Sequence, residues 1–177
     1  MTTTVLVKTV KLDKLAAGLT DPAARSVVLK KIGAIYRSFA QQRFSRLSRG
    51  GGEWPGLSRR TLLARRGARK AASKSDDGEP PKASILIDKG ILFAALAPTA
   101  GVGQGALEQV TTKGIRLGYG GPMKHGDGGQ ATLADIASFH QTGAGRLPKR
   151  VIIAEPDADT LALMTRRINE WLVTRSK

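Results

Sequence analysis

Apolar positions along this chain change period several times, and each change predicts an element. Between Asp21 and Leu47 they recur three and four residues apart, with Val28, Ile32, Ile35 and Phe39 on one row and Tyr36, Ala40, Phe44 and Leu47 beside it. That spacing makes a broad apolar stripe on a long helix from about Pro22 to Leu47. Asp21 is its N-cap and Pro22 fits its first position, where an N–H would have no intrahelical partner. Gly50-Gly51-Gly52 stops it. Trp54-Pro55-Gly56-Leu57 reads as a turn, and Ser58 as the cap of a second helix running through Thr61, Leu62 and Leu63 into an Arg-rich stretch that is polar nearly all round.

On either side of that stretch the pattern differs. Val5 to Val10 alternates loosely, as a strand does, whereas Ser73 to Lys82 lacks any apolar rhythm and reads as a disordered or mobile linker. Ile85-Leu-Ile-Asp88 and Ile91 to Leu96 flank Lys89-Gly90; they suit a strand turning into a short helix, or a second strand. Leu107–Thr111 and Ile115–Tyr119 bracket Thr112-Lys113-Gly114 and predict a β-hairpin with Gly114 supplying a positive φ, before a glycine-rich loop at Gly120–Gln130.

Thr132 and Asp135 form a capping box that starts a short helix with Leu133, Ile136, Ala137 and His140 on one face, and Gly143 and Gly145 end it. Pro148 then leads into an apolar strand, Val151 to Ala154, closed by Pro156. Asp157 or Asp159 caps a C-terminal helix with Leu161, Met164, Ile168 and Trp171 or Leu172 as its stripe. The elements define an α+β fold: a small, mostly antiparallel β-sheet packed by a long N-terminal helix and a C-terminal helix, with a long basic arm. Residues 1–177 form one domain, and 48–83 are an arm or linker, extended or mobile outside an assembly.

Composition adjusts this picture in three ways. With 177 residues and 41% hydrophobic content the chain can bury a core, but 21 glycines and 5% aromatics point to a modest core with long loops. No cysteine is present, which excludes disulfides, thiolate metal sites and a thiol nucleophile. The N-terminus has no basic region before a long apolar stretch, and the longest apolar run, Ile91 to Pro98, is far below the roughly 18 residues of a membrane span. A soluble, cytoplasmic protein without membrane contact is expected.

Charge matters most. Lys and Arg number 29 against 14 Asp and Glu, a formal net charge of +15, and the segment Arg43 to Lys70 holds nine positive residues against one negative, Glu53. A surface for phosphate or for an acidic protein is one reading, with Arg59, Arg60, Arg65, Arg66, Arg69 and Lys70 as its contacts. A solvated basic loop and helix that keeps the protein in solution is the other.

Candidate chemistry is sparse. His125-Gly126-Asp127 has no third metal ligand nearby, and His140 has no nucleophile or orienting carboxylate at a fixed spacing. His140 is expected to pack at its helix end and hydrogen-bond the loop, with Gln141 doing likewise. Gly101-Val-Gly-Gln-Gly105 lacks the Lys-Ser/Thr of a phosphate-cradling loop. Trp171 continues an apolar stripe and belongs to the core. Trp54, set among glycines and proline in a basic arm, suits burial against a neighbouring subunit. No cofactor, metal or catalytic residue is expected.

Ile32-Gly33, Arg43-Phe44, Gly52-Glu-Trp54 with Leu57-Ser58 and Thr61, Ile85-Leu-Ile-Asp-Lys-Gly90 with Leu92, Ile136-Ala-Ser-Phe-His-Gln-Thr-Gly143 and Leu147-Pro148-Lys-Arg150 follow one another along the chain. This order resembles the phage virion-morphogenesis family, the tail-completion or neck proteins of Mu-like and P2-like phages. The chain departs from the family's Pro-Ala-Arg-Pro-Phe-Leu-Gly run in reading Pro148-Lys-Arg-Val-Ile-Ile-Ala154. It also has Ile136-Ala137 where many relatives have an aromatic-alanine pair, and it carries the glycine-rich insert at Gly120–Gln130.

The resemblance implies a viral structural protein of the virion's head-tail junction, assembled in the host cytoplasm. It would form a ring, a hexamer by the family's tail symmetry, that joins the tail tube protein to the head connector or head-closure protein around the DNA channel. Subunit contacts are then expected at Phe44, Trp54, Leu57, His140, Gln141, Gly143, Arg146, Pro148 and Arg150. The competing class is a non-specific nucleic-acid-binding protein using the Arg-rich segment, although no aromatic interleaves Arg59 to Lys70 and no zinc or helix-turn-helix motif is present.

Overall fold

The computed structural model describes residues 21–50, 52–63, 85–87, 90–98, 100, 105–111, 114–123, 131–144 and 147–175. The expected strand at Val5–Val10, the linker at Ser73–Lys82, and His125 lie outside them. The first element, α1 (Pro22–Ser48), begins as its sequence dictates: the Asp21 carboxylate accepts the Ala23 N–H at 3.0 Å, with Pro22 at the first position. Its Arg49 cap donates its N–H to the Arg46 carbonyl at 3.3 Å and Gly50 N–H donates to the Leu47 carbonyl at 3.2 Å, with Gly50 turning the chain away at φ 88°.

Helix α1 is the centre of the molecule, because it is buried on more than one side. Against it lie the short helix α2 (Ile91–Ala94), a hairpin of β1 (Ala106–Thr111) and β2 (Gly114–Tyr119), and the C-terminal helix α4 (Ala158–Arg175). Between β2 and α4 in sequence, α3 (Leu133–Thr142) packs on β2. The fold is therefore a small α+β arrangement with an antiparallel sheet between N- and C-terminal helices. The sheet has two strands, in register from Ala106 opposite Tyr119 to Thr111 opposite Gly114. Gly114 has the positive φ anticipated for it, 157°, but as the paired first residue of β2 rather than inside the turn.

Strand alternation decides what the hairpin buries. Ile115, Leu117 and Tyr119 point inward and are almost fully buried, while Arg116 between them is exposed. Gly33 lets α1 approach this face: a Cβ there would sit 2.7 Å from Ile115 Cδ1. The core is built from Val28, Leu29, Ile32, Tyr36, Ala40, Phe44 and Leu47 of α1 with the inward residues of the hairpin, Leu92, Leu96, Leu133, Ile152, Met164 and Ile168.

One charge is locked inside. Arg37 is 3% exposed, and its guanidinium donates to the carbonyls of Ala95, Ala97 and Leu107 at 3.1 to 3.4 Å. Its Nε lies 3.5 Å from the Glu108 carboxylate, near enough for ionic attraction but off the hydrogen-bonding direction. Burial lowers the Arg37 pKa and Glu108 partly restores it. A buried cation so held ties α1 to the chain after α2 and to β1 at once.

Residues 85–87 form a turn, not a strand, and Ile91–Ala94 is helical, so one of the two readings of this region holds in its helical half. Asp157, not Asp159, caps α4: its Oδ1 accepts the Thr160 N–H at 2.9 Å, and those hydrogen bonds from Thr160 hold its carboxyl below the usual range. Met164 and Ile168 are buried and Trp171 packs against the core as expected, but Leu161 is 41% exposed.

Candidate functional site

The apolar run Val151–Ala154 was expected to be a strand and is not one. It joins no ladder among the described residues and bends at Ile153, and side chains take the place of a neighbouring strand. Gln141 supplies half of this substitute, three of its six hydrogen bonds. Its Oε1 accepts the N–H groups of Ile152 and Ile153 at 2.8 and 3.0 Å, and its Nε2 donates to the Ile153 carbonyl at 2.8 Å. The Val151 carbonyl accepts from Arg43 Nη1 at 2.6 Å and from Trp54 Nε1 at 3.2 Å. Tyr36 completes the set by donating its hydroxyl to the Ala154 carbonyl at 2.7 Å. Burial pushes the Tyr36 pKa up to about 12, with Arg43 opposing, so the hydroxyl keeps its proton.

Each donor is placed by its own element. The Thr132–Asp135 capping box fixes the start of α3: Thr132 N–H donates to Asp135 Oδ2 at 2.9 Å and Asp135 N–H to Thr132 Oγ1 at 3.2 Å. Leu133, Ala134 and Ala137 then bury one face, which carries Gln141 to the inner side of the last turn. Gly143 ends the helix at φ 76°, and a Cβ there would lie 3.0 to 3.2 Å from Lys149, including its backbone. The loop therefore folds back closely enough for Arg150 N–H to reach the His140 carbonyl at 2.7 Å.

The turn at Trp54 closes the joint from the other side. Trp54 is 5% exposed and meets Phe44, itself fully buried, edge to face with centroids 5.0 Å apart. Arg43 pairs with Glu53 in the same turn. Arg150, 4% exposed, donates to the carbonyls of Pro55 and Gly56 at 3.0 to 3.2 Å. Phe44, Trp54, Leu57, His140, Gln141, Gly143 and Arg150, all expected at subunit contacts, thus converge within one subunit. Phe44, Trp54 and Arg150 are corrected to interior positions, since each is consumed by packing or hydrogen bonds of its own chain; Leu57 is half-buried against the same core.

Other site residues lie differently. Pro148 is exposed, and Arg59 and Arg60 are exposed on a helical turn at 59–63 whose start Ser58 caps through Thr61 N–H at 3.2 Å. Arg146, Arg65, Arg66, Arg69 and Lys70 lie outside the described residues. Two residues of the quoted motifs that were not among the expected contacts are exposed, Phe139 on α3 and Leu147 after it, 42% and 43% accessible. A phenylalanine outside the apolar row of a capped helix was the available signal for the first.

The His140 ring does not bond the loop through Nδ1, which is buried without a partner, and burial with the nearby Arg150 charge lowers its pKa to about 4. His140 is therefore neutral at pH 7 and close to a cation. Among the described residues no group of three His, Cys, Asp or Glu could hold a metal, and no helix is long and apolar enough to cross a membrane. Compared with known protein families, curated proteins and solved structures, the chain matches none.

Proposed function

We propose that this protein is a structural component of a phage neck, a tail-completion or terminator subunit that forms a ring between the tail tube and the head connector. The observation that carries this reading is the joint. Four of the sequence pieces that resemble the virion-morphogenesis family, Arg43-Phe44, Gly52-Glu-Trp54, Ile136–Gly143 and Leu147–Arg150, meet around Val151–Ala154 in one hydrogen-bonded unit, with no catalytic arrangement among the described residues. A rigid frame of that kind fixes the end of α3 and residues 147–150, where Phe139 on the helix and Leu147, Pro148 and Lys149 after it are exposed. Pre-ordered apolar side chains lose little entropy when a partner covers them, which suits repeated heterologous contacts around a ring.

The function is assembly rather than turnover, and these exposed residues rather than Trp54 are the contact surface. The test is the double substitution Phe139→Ser and Leu147→Ser, examined by circular dichroism and by mass in solution. The reading expects a folded chain that no longer assembles. Unchanged assembly by this variant would defeat it.

A further inference from the structure

Helix α1 contains six basic residues and no acidic one over 27 positions. Arg37 and Arg43 point inward to the contacts described above, but Lys30, Lys31 and Arg46 are exposed, as is Arg49 at the cap. At 100° per residue, Lys31, Ser38, Gln42, Ser45, Arg46 and Arg49 fall within one stripe about 100° wide. All of these side chains are hydrogen-bond donors, the half-buried Ile35 is the apolar residue that shares their arc, and neither Arg46 nor Arg49 is in an ion pair among the described residues. Toward the C-terminal end, Gln42, Ser45, Arg46, Arg49 and Gly50 line a shallow depression of about 540 Å³.

We propose that this stripe, rather than the arm alone, is a surface for the phosphate backbone of duplex DNA. From Lys31 to Arg49 it runs for about 27 Å, the reach of roughly eight phosphates on one strand at 3.4 Å each. Guanidinium, hydroxyl and amide donors are the groups that contact phosphate oxygens without reading sequence. Two carboxylates border the stripe: Asp157, which feels the charge of Arg46, and Glu170, across the groove between α1 and α4 from Lys31. Glu170 is already paired with Arg166 and Arg167. The proposal rests on the neck reading for the choice of DNA as the polyanion, and it names the structured part of the chain that would line the channel.

The test uses the full chain and a 30-base-pair duplex of arbitrary sequence, with binding followed by fluorescence anisotropy from 50 to 300 mM salt. Replacing Arg46→Gln and Arg49→Gln is expected to reduce the slope of log K against log salt by about 2, and to weaken binding by tens of fold at 0.1 M. Arg116→Gln with Lys30→Gln makes an equal change of charge at exposed positions outside the stripe and is expected to leave the slope nearly unaltered. Equal losses from both pairs would mean that net charge alone acts, and would overturn the proposal, as would an absence of wild-type binding at 50 mM salt. Particle mass is measured on the same samples. A missing ring with an intact slope difference defeats the neck reading alone, whereas a mass that falls in the Arg46/Arg49 variant shows those residues holding protein and defeats this one.

Discussion

Replacing Gln141 by alanine tests the side-chain substitute for a strand. The change removes three hydrogen bonds of 2.8, 2.8 and 3.0 Å and leaves the N–H groups of Ile152 and Ile153 and the Ile153 carbonyl without them. Each unsatisfied, partly buried group costs about 1 to 3 kcal/mol, and water reaching the loop lowers the total, so a loss of about 3 to 5 kcal/mol is expected. That is a large share of the roughly 5 to 15 kcal/mol that holds a domain together. With a urea slope of about 2 kcal/mol per molar, the unfolding midpoint should fall by about 1.5 to 2.5 M. Gln141→Glu keeps the two acceptor contacts but sets a carboxylate against the Ile153 carbonyl, and should lie between wild type and alanine. Hydrogen exchange supplies the local readout: the Ile152 and Ile153 amides should lose protection first. A destabilisation below about 1 kcal/mol, with both amides still protected, would refute the role given to Gln141.

Three further outcomes follow from the same geometry. His140 has a folded pKa of about 4 against 6.5 for the free side chain, so the unfolded chain binds the extra proton; stability from this group is present above pH 6.5 and is lost as pH falls toward 4. Relative to His140→Asn, the wild type should lose about 2 to 3 kcal/mol more between pH 7 and 4 in paired denaturation curves, and parallel curves would contradict the placement beside Arg150. Trp54→Ala should cost about 3 to 5 kcal/mol in the isolated subunit, whereas Trp54→Phe, which loses the bond to Val151, should cost about 1 kcal/mol; an alanine variant as stable as wild type would contradict its interior position. Arg37→Met should destabilise by about 2 to 4 kcal/mol on thermal melting, because three carbonyls lose their donor, and an unchanged melting temperature would refute the account of the buried cation.

Much of the architecture was legible because local rules and tertiary packing agree there. Asp21-Pro22 begins α1, the period of Val28 to Leu47 fixes its inner faces, and the Thr132–Asp135 box starts α3. The hairpin followed from two apolar runs with a short break. Where the reading failed, long-range contacts had overridden a local pattern. Val151-Ile-Ile-Ala154 has strand composition, but its donors and acceptors are met by Tyr36, Arg43, Trp54 and Gln141, and no spacing in the sequence reveals such a match.

Charge misled for the same reason. Arg43 counts toward the basic segment and Arg150 toward the subunit contacts in the sequence, yet carbonyl groups of distant segments take both inward. Trp54 looked exposed because its neighbours are glycine, proline and arginine; only the position of Phe44 beneath the turn makes it interior. The candidate contact surface was therefore half legible: the segment was identified, but Phe139 and Leu147, which it exposes, were not.

The central claim is assembly, and particle mass measures it directly. Mass in solution, supported by negative-stain images, should show closed rings of several subunits; a hexamer of the 18.8 kDa chain weighs about 113 kDa. Rings that dissociate when Phe139 and Leu147 are made polar are the predicted result. A particle of 18.8 kDa at every concentration, whether or not it binds DNA, would contradict the account.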